Sequence, residues 1–364
     1  MLILTNEEVQ NVLTMKVCIE VLEHAFAELG HGRAIATNRY DLSVPAKLPS
    51  MERGPAYYRL KTMSGALPSL NAAAVRINSD VATYPIRKGI LRQEKVPAAR
   101  ERYVGFIILF DSNTGEPLMI CPDGVVQRMR VGATSGLGAK YLARENTNTV
   151  GLLGSGWQAG AQLTALAEVR KIKLVKVYSP NPEHRTQFAE EMSRSLELDV
   201  KPCGSADEVV KDVDVVHAAT NTRRDPVFDP RWVVEGIHLG FIVPSEMSEA
   251  VMRKCDVLAI STNSWERTRT LNYTICDTSA IPEPQFIKGA WWNKRSWTSK
   301  MTTLGEIIIG KATGRQRASE KTCFWNFSNS IQFAAVGAKL YELALKEKLG
   351  KEIPTEWFLQ SVHP

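Results

Sequence analysis

Apolar positions fall into two regimes along the chain. Near the amino end Met15, Ile19, Leu22, Phe26 and Leu29 recur every three or four residues. That spacing puts one stripe on one helix face. Gly30 follows the stripe and is placed to cap it. Ahead of it, Thr5 and Glu8 have the spacing of a capping box and predict a shorter helix ending near Leu13. From about 36 to 122 the apolar runs shorten, at 72–77, 103–110 and 117–121. The last two flank Asp111-Ser112-Asn113-Thr114-Gly115-Glu116, which predicts a hairpin turn in a mostly antiparallel sheet. Residues 131–144 predict a helix rich in Ala and Gly. Strand and helix then alternate: strands at 147–153, 173–178, 198–202 and 213–219, helices at 158–170, 183–195 and 206–211. The alternation continues through 236–243, 246–254 and 257–261. This order predicts an α/β fold, a doubly wound parallel sheet. The apolar stretch 324–349 predicts a helix outside that repeat, ending at Gly350 and returning to the first domain.

Charge changes the picture slightly. Lys plus Arg number 45 and Asp plus Glu 39 in 364 residues, a net +6. This mild bias suits an anionic substrate or cofactor and does not call for nucleic acid. Residues 84–102 carry six basic and two acidic side chains, a solvated loop or a contact for an anion or partner. The cysteines, Cys18, Cys121, Cys203, Cys255, Cys276 and Cys323, form no C-x-x-C pair. They read as reduced thiols of a cytoplasmic protein, with no metal site expected. The chain shows no basic, then apolar, leader and no run of 18 apolar residues, so neither secretion nor a membrane partner is expected.

The sharpest chemical signal is a glycine turn between a strand and a helix. Strand residues through Leu153 run into Gly154, Ser155, Gly156, Trp157, Gln158 and Ala159. In a βαβ unit Gly154 permits the tight turn, Gly156 lets the backbone approach a pyrophosphate, and Ala159 lets helix and strand pack closely. The helix amino end offers free N–H groups and partial positive charge. The Rossmann reading implies NAD or NADP. No acidic residue ends the next strand to accept from a ribose 2′-OH. Ser179, Asn181 and Arg185 stand there instead and favour NADP over NAD, the alternative being that Ser179 bonds the 2′-OH. Thr220 and Asn221 follow the strand 213–219, at the carboxyl end where the nicotinamide half belongs.

Four segments in order resemble the ornithine cyclodeaminase and mu-crystallin family. Val150 to Ala159 is similar to its V-G-x-x-G-x-G-x-Q-A, and the helix from Arg130 to one that opens R-T-A-A. Phe110 to Leu118 resembles its F-D-x-x-T-G-x-P-L, and Leu304 to Arg315 its L-G-E-V-x-x-G-x-x-x-G-R. The resemblance covers most of residues 1–350. It implies a substrate-binding and dimerisation domain of the α+β type from 1–130 together with 320–364, around a Rossmann domain at 131–319, in a homodimer. It further implies an NAD(P)-linked enzyme acting on amino acids, imines or keto acids, with the substrate carboxylate on Arg39, Arg76 and Arg130.

Two departures bear on the reaction. Arg76 stands where the family has a lysine; an arginine anchors a carboxylate in a planar fork but does not pass a proton. A proton donor must then come from Lys61, Asp80 or a water. The stretch from Gly236 to Glu246 lacks the aspartate of the cyclodeaminases, though Glu246 matches the family glutamate. These features favour reduction of an imine or α-keto acid by hydride transfer to the α-carbon. Cyclodeamination and non-catalytic cofactor binding remain the alternatives. The stretch 264–301, with Trp265, Trp291, Trp292 and Trp297, is longer than the family norm and serves packing, an interface or an enlarged pocket.

Overall fold

A computed structural model describes residues 1–37, 39–47, 56–87, 90–91, 93–220, 222, 226–262, 291 and 294–362. Two sheets organise them. In the first, the path runs Lys351–Glu352, Leu2–Ile3, Pro117–Pro122, Val104–Asp111, Ala72–Thr83, Ala56–Leu67, Ile35–Ala36, with Tyr40–Ala46 also paired to Ala56–Leu67. Leu2–Ile3 lies between Pro117–Pro122 and Lys351–Glu352, so both chain ends meet in one sheet. The second sheet is parallel, in the order Asp199–Pro202, Leu174–Tyr178, Thr149–Leu153, Val215–Ala218, His238–Phe241, Thr322–Trp325, Val257–Ile260, Thr302–Thr303. Strand order reverses direction at Thr149–Leu153 and Val215–Ala218, which opens a crevice beyond their carboxyl ends. The fold is the α/β, doubly wound type that the alternation predicts. Among the described residues, no helix is long and apolar enough to cross a membrane.

The hairpin at Asp111 forms as read: Asp111 Oδ1 accepts from the N–H groups of Asn113 and Thr114. The capping box Thr5–Glu8 is also made in full. Four readings need correction. The first helix stripe, Met15–Gly30, runs through Gly30, and the left-handed turn falls at Gly32, φ +75°. The helix expected at 131–144 is Asp123–Leu142, so Arg130 lies inside it rather than at its start. That helix also crosses the expected domain boundary at 130/131.

The fourth correction is the far boundary. Thr322–Trp325 is a buried strand inside the parallel sheet, so the chain leaves that sheet after Trp325, not at 319. Four residues, three of them apolar, ahead of a helix carry no period of their own, so the strand is read as helix. The helix proper is Ile331–Lys346, and it packs on the first sheet.

Helix Asp123–Leu142 fixes the geometry between the two sheets. It packs closely on Trp157–Val169, the helix after the glycine turn. A Cβ on Gly132 would lie 2.5 Å from the Ala161 carbonyl oxygen, so the two backbones touch there. Arg130 is therefore held at a set distance from the glycine turn.

Candidate active site

The glycine turn has the form a pyrophosphate needs. Gly154 has φ +114°, and a Cβ there would meet the Ala219 carbonyl oxygen at 2.5 Å. Only glycine fits that combination. Gly156 caps helix Trp157–Val169, and a Cβ on it would meet nothing within 4 Å. The helix N-terminus thus faces open space while Ala159 is buried against the core. Gln158 Oε1 is buried without a partner among the described residues. Trp157 is half exposed, with the Arg128 guanidinium 5.5 Å from its ring centroid. Sequence reading missed Arg128, which adds a positive charge beside the turn. These residues fit a dinucleotide.

The adenosine side is partly committed. Ser155 Oγ and Ser179 Oγ lie 2.7 Å apart, and Arg185 Nη1 donates to the Ser179 carbonyl oxygen at 2.8 Å. Asn181 Oδ1 caps helix Pro182–Leu196, accepting from Glu183 and His184 N–H, so its oxygen is occupied. On the nicotinamide side, Thr220 donates its N–H and its hydroxyl to Glu246 Oε1 at 2.6 and 2.8 Å. Glu246 Oε2 accepts from Ile242 and Val243 N–H at 3.0 and 2.9 Å. Burial raises the Glu246 pKa, and these backbone donors oppose the rise. Asn221 lies outside the described residues.

The first sheet has an inverted face. In Ala56–Leu67 and Ala72–Thr83 the buried positions include Arg59, Lys61, Arg76, Asn78 and Asp80. Buried charges require partners. Arg76 Nε donates to Asp123 Oδ2 at 2.6 Å. Lys61 Nζ and Arg59 Nε donate to the two oxygens of Asp80 at 2.8 and 2.9 Å, and Lys95 Nζ lies 3.1 Å from Oδ2. Burial, then the Arg59 charge, lowers the Lys61 pKa to about 7 despite Asp80. Burial alone would raise Asp80, but Lys61, Arg59 and Lys95 hold it down at about 2.

Arg130 differs from the others. Its side chain is buried, and among the described residues it has no carboxylate partner. Nη1 donates to Ser328 Oγ and Gln332 Oε1, each at 2.6 Å, and Nε is buried without a partner. The guanidinium lies 4.9 Å from the Phe333 ring centroid, and that of Arg76 lies 5.7 Å from the same ring. Burial and then the charge of Arg76 lower the Arg130 pKa to about 9. It stays a cation at neutral pH, and a bound anion would relieve both causes. Arg39 is half exposed and bidentate on Asp41 at 2.6 and 2.8 Å. Its charge still reaches Lys61 and Arg130.

Sequence reading named Arg39, Lys61, Arg76 and Arg130 but missed Asp123, Ser328, Gln332 and Phe333. The signal for Ser328 was faint, a mostly polar run from Asn326 to Ser330 between an apolar strand and an apolar helix, and Gln332 and Phe333 lie inside that helix. Of the tryptophan stretch, Trp291 and Trp297 are buried in the core beside the parallel sheet. Trp291 packs on Phe241 and Trp325 and donates to the Met247 carbonyl oxygen at 3.0 Å. Trp265 and Trp292 lie outside the described residues.

A glycine turn between a parallel strand and a helix, at the point where the strand order reverses, defines a dinucleotide-binding Rossmann fold. The chain belongs to the ornithine cyclodeaminase/mu-crystallin family, whose model matches residues 1–348. It is 27% identical over 359 residues to an alanine dehydrogenase of Archaeoglobus fulgidus, covering 97% of this chain and 98% of that one. It superposes with TM-score 0.74 and 30% identity on the Thermococcus litoralis Delta(1)-pyrroline-2-carboxylate reductase solved with NADH and L-proline, covering 97% and 100% of the two chains. An archaeal alanine dehydrogenase dimer with bound NAD matches at TM-score 0.72 and 25% identity, covering 97% and 98%. The relatives that match are NAD-linked dehydrogenases and reductases, in a family that also includes ornithine cyclodeaminases.

Proposed function

We propose that the protein reduces the C=N carbon of an imino acid, or of the imine formed from an α-keto acid and an amine, with NADPH preferred over NADH. The observation that carries this reading is Arg130: a buried cation without a carboxylate partner among the described residues, on the helix that packs against the phosphate-turn helix. A substrate carboxylate supplies the missing partner, and a guanidinium binds it through two charge-assisted bonds. Arg76, already matched by Asp123, orients the same carboxylate through its remaining donors, and Arg39 adds charge at the rim.

When bound, the dinucleotide supplies the hydride that the C=N carbon receives. The chain's own residues do the rest. Arg130 and Phe333 fix the substrate's plane and place its carbon toward the crevice. As the electron pair of the C=N bond moves to nitrogen, the Lys61 ammonium hands that nitrogen a proton. An ammonium tuned to about 7 suits that role near neutral pH. The Arg185 charge and the absence of an acid after Leu174–Tyr178 support NADP.

A second copy of the chain covers the outer face of the first sheet. There Val75, Ile77, Phe106, Ile108 and Ile120 are half-buried in the isolated chain, with Ile120, Ile108 and Val75 in one cross-strand row. An apolar face of this extent marks an interface, and the archaeal alanine dehydrogenase neighbour is a dimer. The test of the reaction is NAD(P)H oxidation against cyclic imino acids and against α-keto acids with ammonia or methylamine. Oxidation faster with NADPH is expected. Ornithine turnover without net NAD(P)H change would make the protein a lyase instead, and cofactor binding with no turnover would make it a binder.

A further inference from the structure

The first sheet carries more positive charge than one substrate carboxylate requires. Arg59, Lys61 and Lys95 all share the carboxylate of Asp80. Arg59 is more than nine-tenths buried, yet among the described residues its Nη2 has no partner and Nη1 reaches only the Tyr84 hydroxyl at 3.5 Å. A buried guanidinium N–H left unpaired costs on the order of 1–3 kcal/mol, a cost that a bound acceptor removes. Burial first, and then the neighbouring Arg59 charge, depress the Lys61 titration despite Asp80.

This cluster continues the strip that begins at Arg130. Register places Met63 opposite Arg76, Lys61 opposite Asn78, and Arg59 opposite Asp80. All of these except Met63 are polar or charged, and all lie on the same buried face. Arg59 therefore sits roughly 13 Å along the sheet from Arg76, at about 3.4 Å per residue. Two long side chains reaching toward each other span much of that gap.

We infer that Arg59 and Lys95, with Lys61 at their junction to Arg76 and Arg130, form a second anion subsite that takes the distal carboxylate of a dicarboxylic 2-imino or 2-oxo acid. This rests on the reading that Arg130 holds the α-carboxylate, and it names the substrate class.

The test compares binding of chain-matched acids, 2-oxoglutarate against 2-oxopentanoate and 2-oxoadipate against 2-oxohexanoate. The protein carries oxidised dinucleotide, so no hydride is available. Calorimetry at pH 8 is run in two buffers of different ionisation enthalpy. In at least one pair the dicarboxylate is expected to bind at least tenfold tighter, with proton uptake as Lys61 becomes charged. Arg59→Gln should bring the ratio of the two affinities toward one. Lys95→Gln, at a half-exposed position that tolerates substitution, should lower it in the same direction. Equal binding of the two acids, or an unchanged ratio in both variants, overturns the subsite and leaves the Arg130 reading standing. Binding of neither acid overturns both.

Discussion

Glu246 and Thr220 are locked together: Glu246 Oε1 accepts both the N–H and the hydroxyl of Thr220, at 2.6 and 2.8 Å. This fully buried carboxylate pins the loop at the carboxyl end of Val215–Ala218, where the nicotinamide half of the cofactor belongs. Glu246→Ala leaves the Thr220, Ile242 and Val243 amides unpaired. A fully buried unpaired donor costs about 1–3 kcal/mol and these part-buried ones cost less, so unfolding free energy should fall by roughly 1–3 kcal/mol in total. Glu246→Gln keeps one acceptor and should cost less. Denaturant unfolding of both variants, with dinucleotide affinity alongside, checks the order.

Arg130→Ala should lower kcat/KM for the carboxylate substrate by more than about tenfold, over ~1.4 kcal/mol, while dinucleotide affinity changes much less. Arg130→Lys should not restore activity. A point charge cannot hold Ser328, Gln332 and a carboxylate in one plane. Steady-state kinetics against dinucleotide titration separates the two effects, and equal losses in both would make Arg130 structural.

Lys61 sets a pH dependence whose sign follows from its depressed pKa. In the folded chain it titrates near 7, against 10.5 as an ordinary lysine. Between those values the unfolded chain binds more protons, so this group makes stability rise with pH by up to about 1.4 kcal/mol per unit. Activity moves the other way. Reduction needs the ammonium, so kcat/KM should fall above about pH 7, and Lys61→Met should lower the rate and flatten that limb. A wild-type profile flat from pH 6 to 9 removes Lys61 from the proton path.

His217 contributes to the acid limit, as does the equally buried His238, whose pKa burial also lowers. His217 is buried in the parallel sheet, its Nε2 has no partner, and burial lowers its pKa to about 3. From about pH 6.5 down to 3 the unfolded imidazole takes a proton that the folded one refuses. Stability is therefore lost as pH falls, by about 1.4 kcal/mol per unit at most. His217→Gln should reduce the slope of stability against pH in that window by about one proton.

What the sequence revealed depended on range. The turn at Gly154 and Gly156 was legible because strand, glycines and helix are consecutive. Arg130 was legible from a local motif, but Ser328, Gln332 and Phe333, which hold it, come from about two hundred residues away. The strands Ala56–Leu67 and Ala72–Thr83 were seen only in part because their buried face carries Arg59, Lys61, Arg76, Asn78 and Asp80, while Val75 and Ile77 face outward. A rule that puts apolar residues inside fails where the buried face carries charge. Thr322–Trp325 was misplaced because a short buried strand has no signature apart from its pairing partners.

The most direct measurement is titration of the wild-type chain and of Gly156→Ala with NAD, NADH, NADP and NADPH. A methyl group at Gly156 meets nothing within 4 Å, so the variant should fold with stability within about 1 kcal/mol of wild type. Yet that methyl enters the space where the pyrophosphate must approach the backbone. The account predicts tight binding of at least one nucleotide by the wild type and a loss of tenfold or more in the variant. Binding of none of the four, or equal binding by the two proteins, would contradict it.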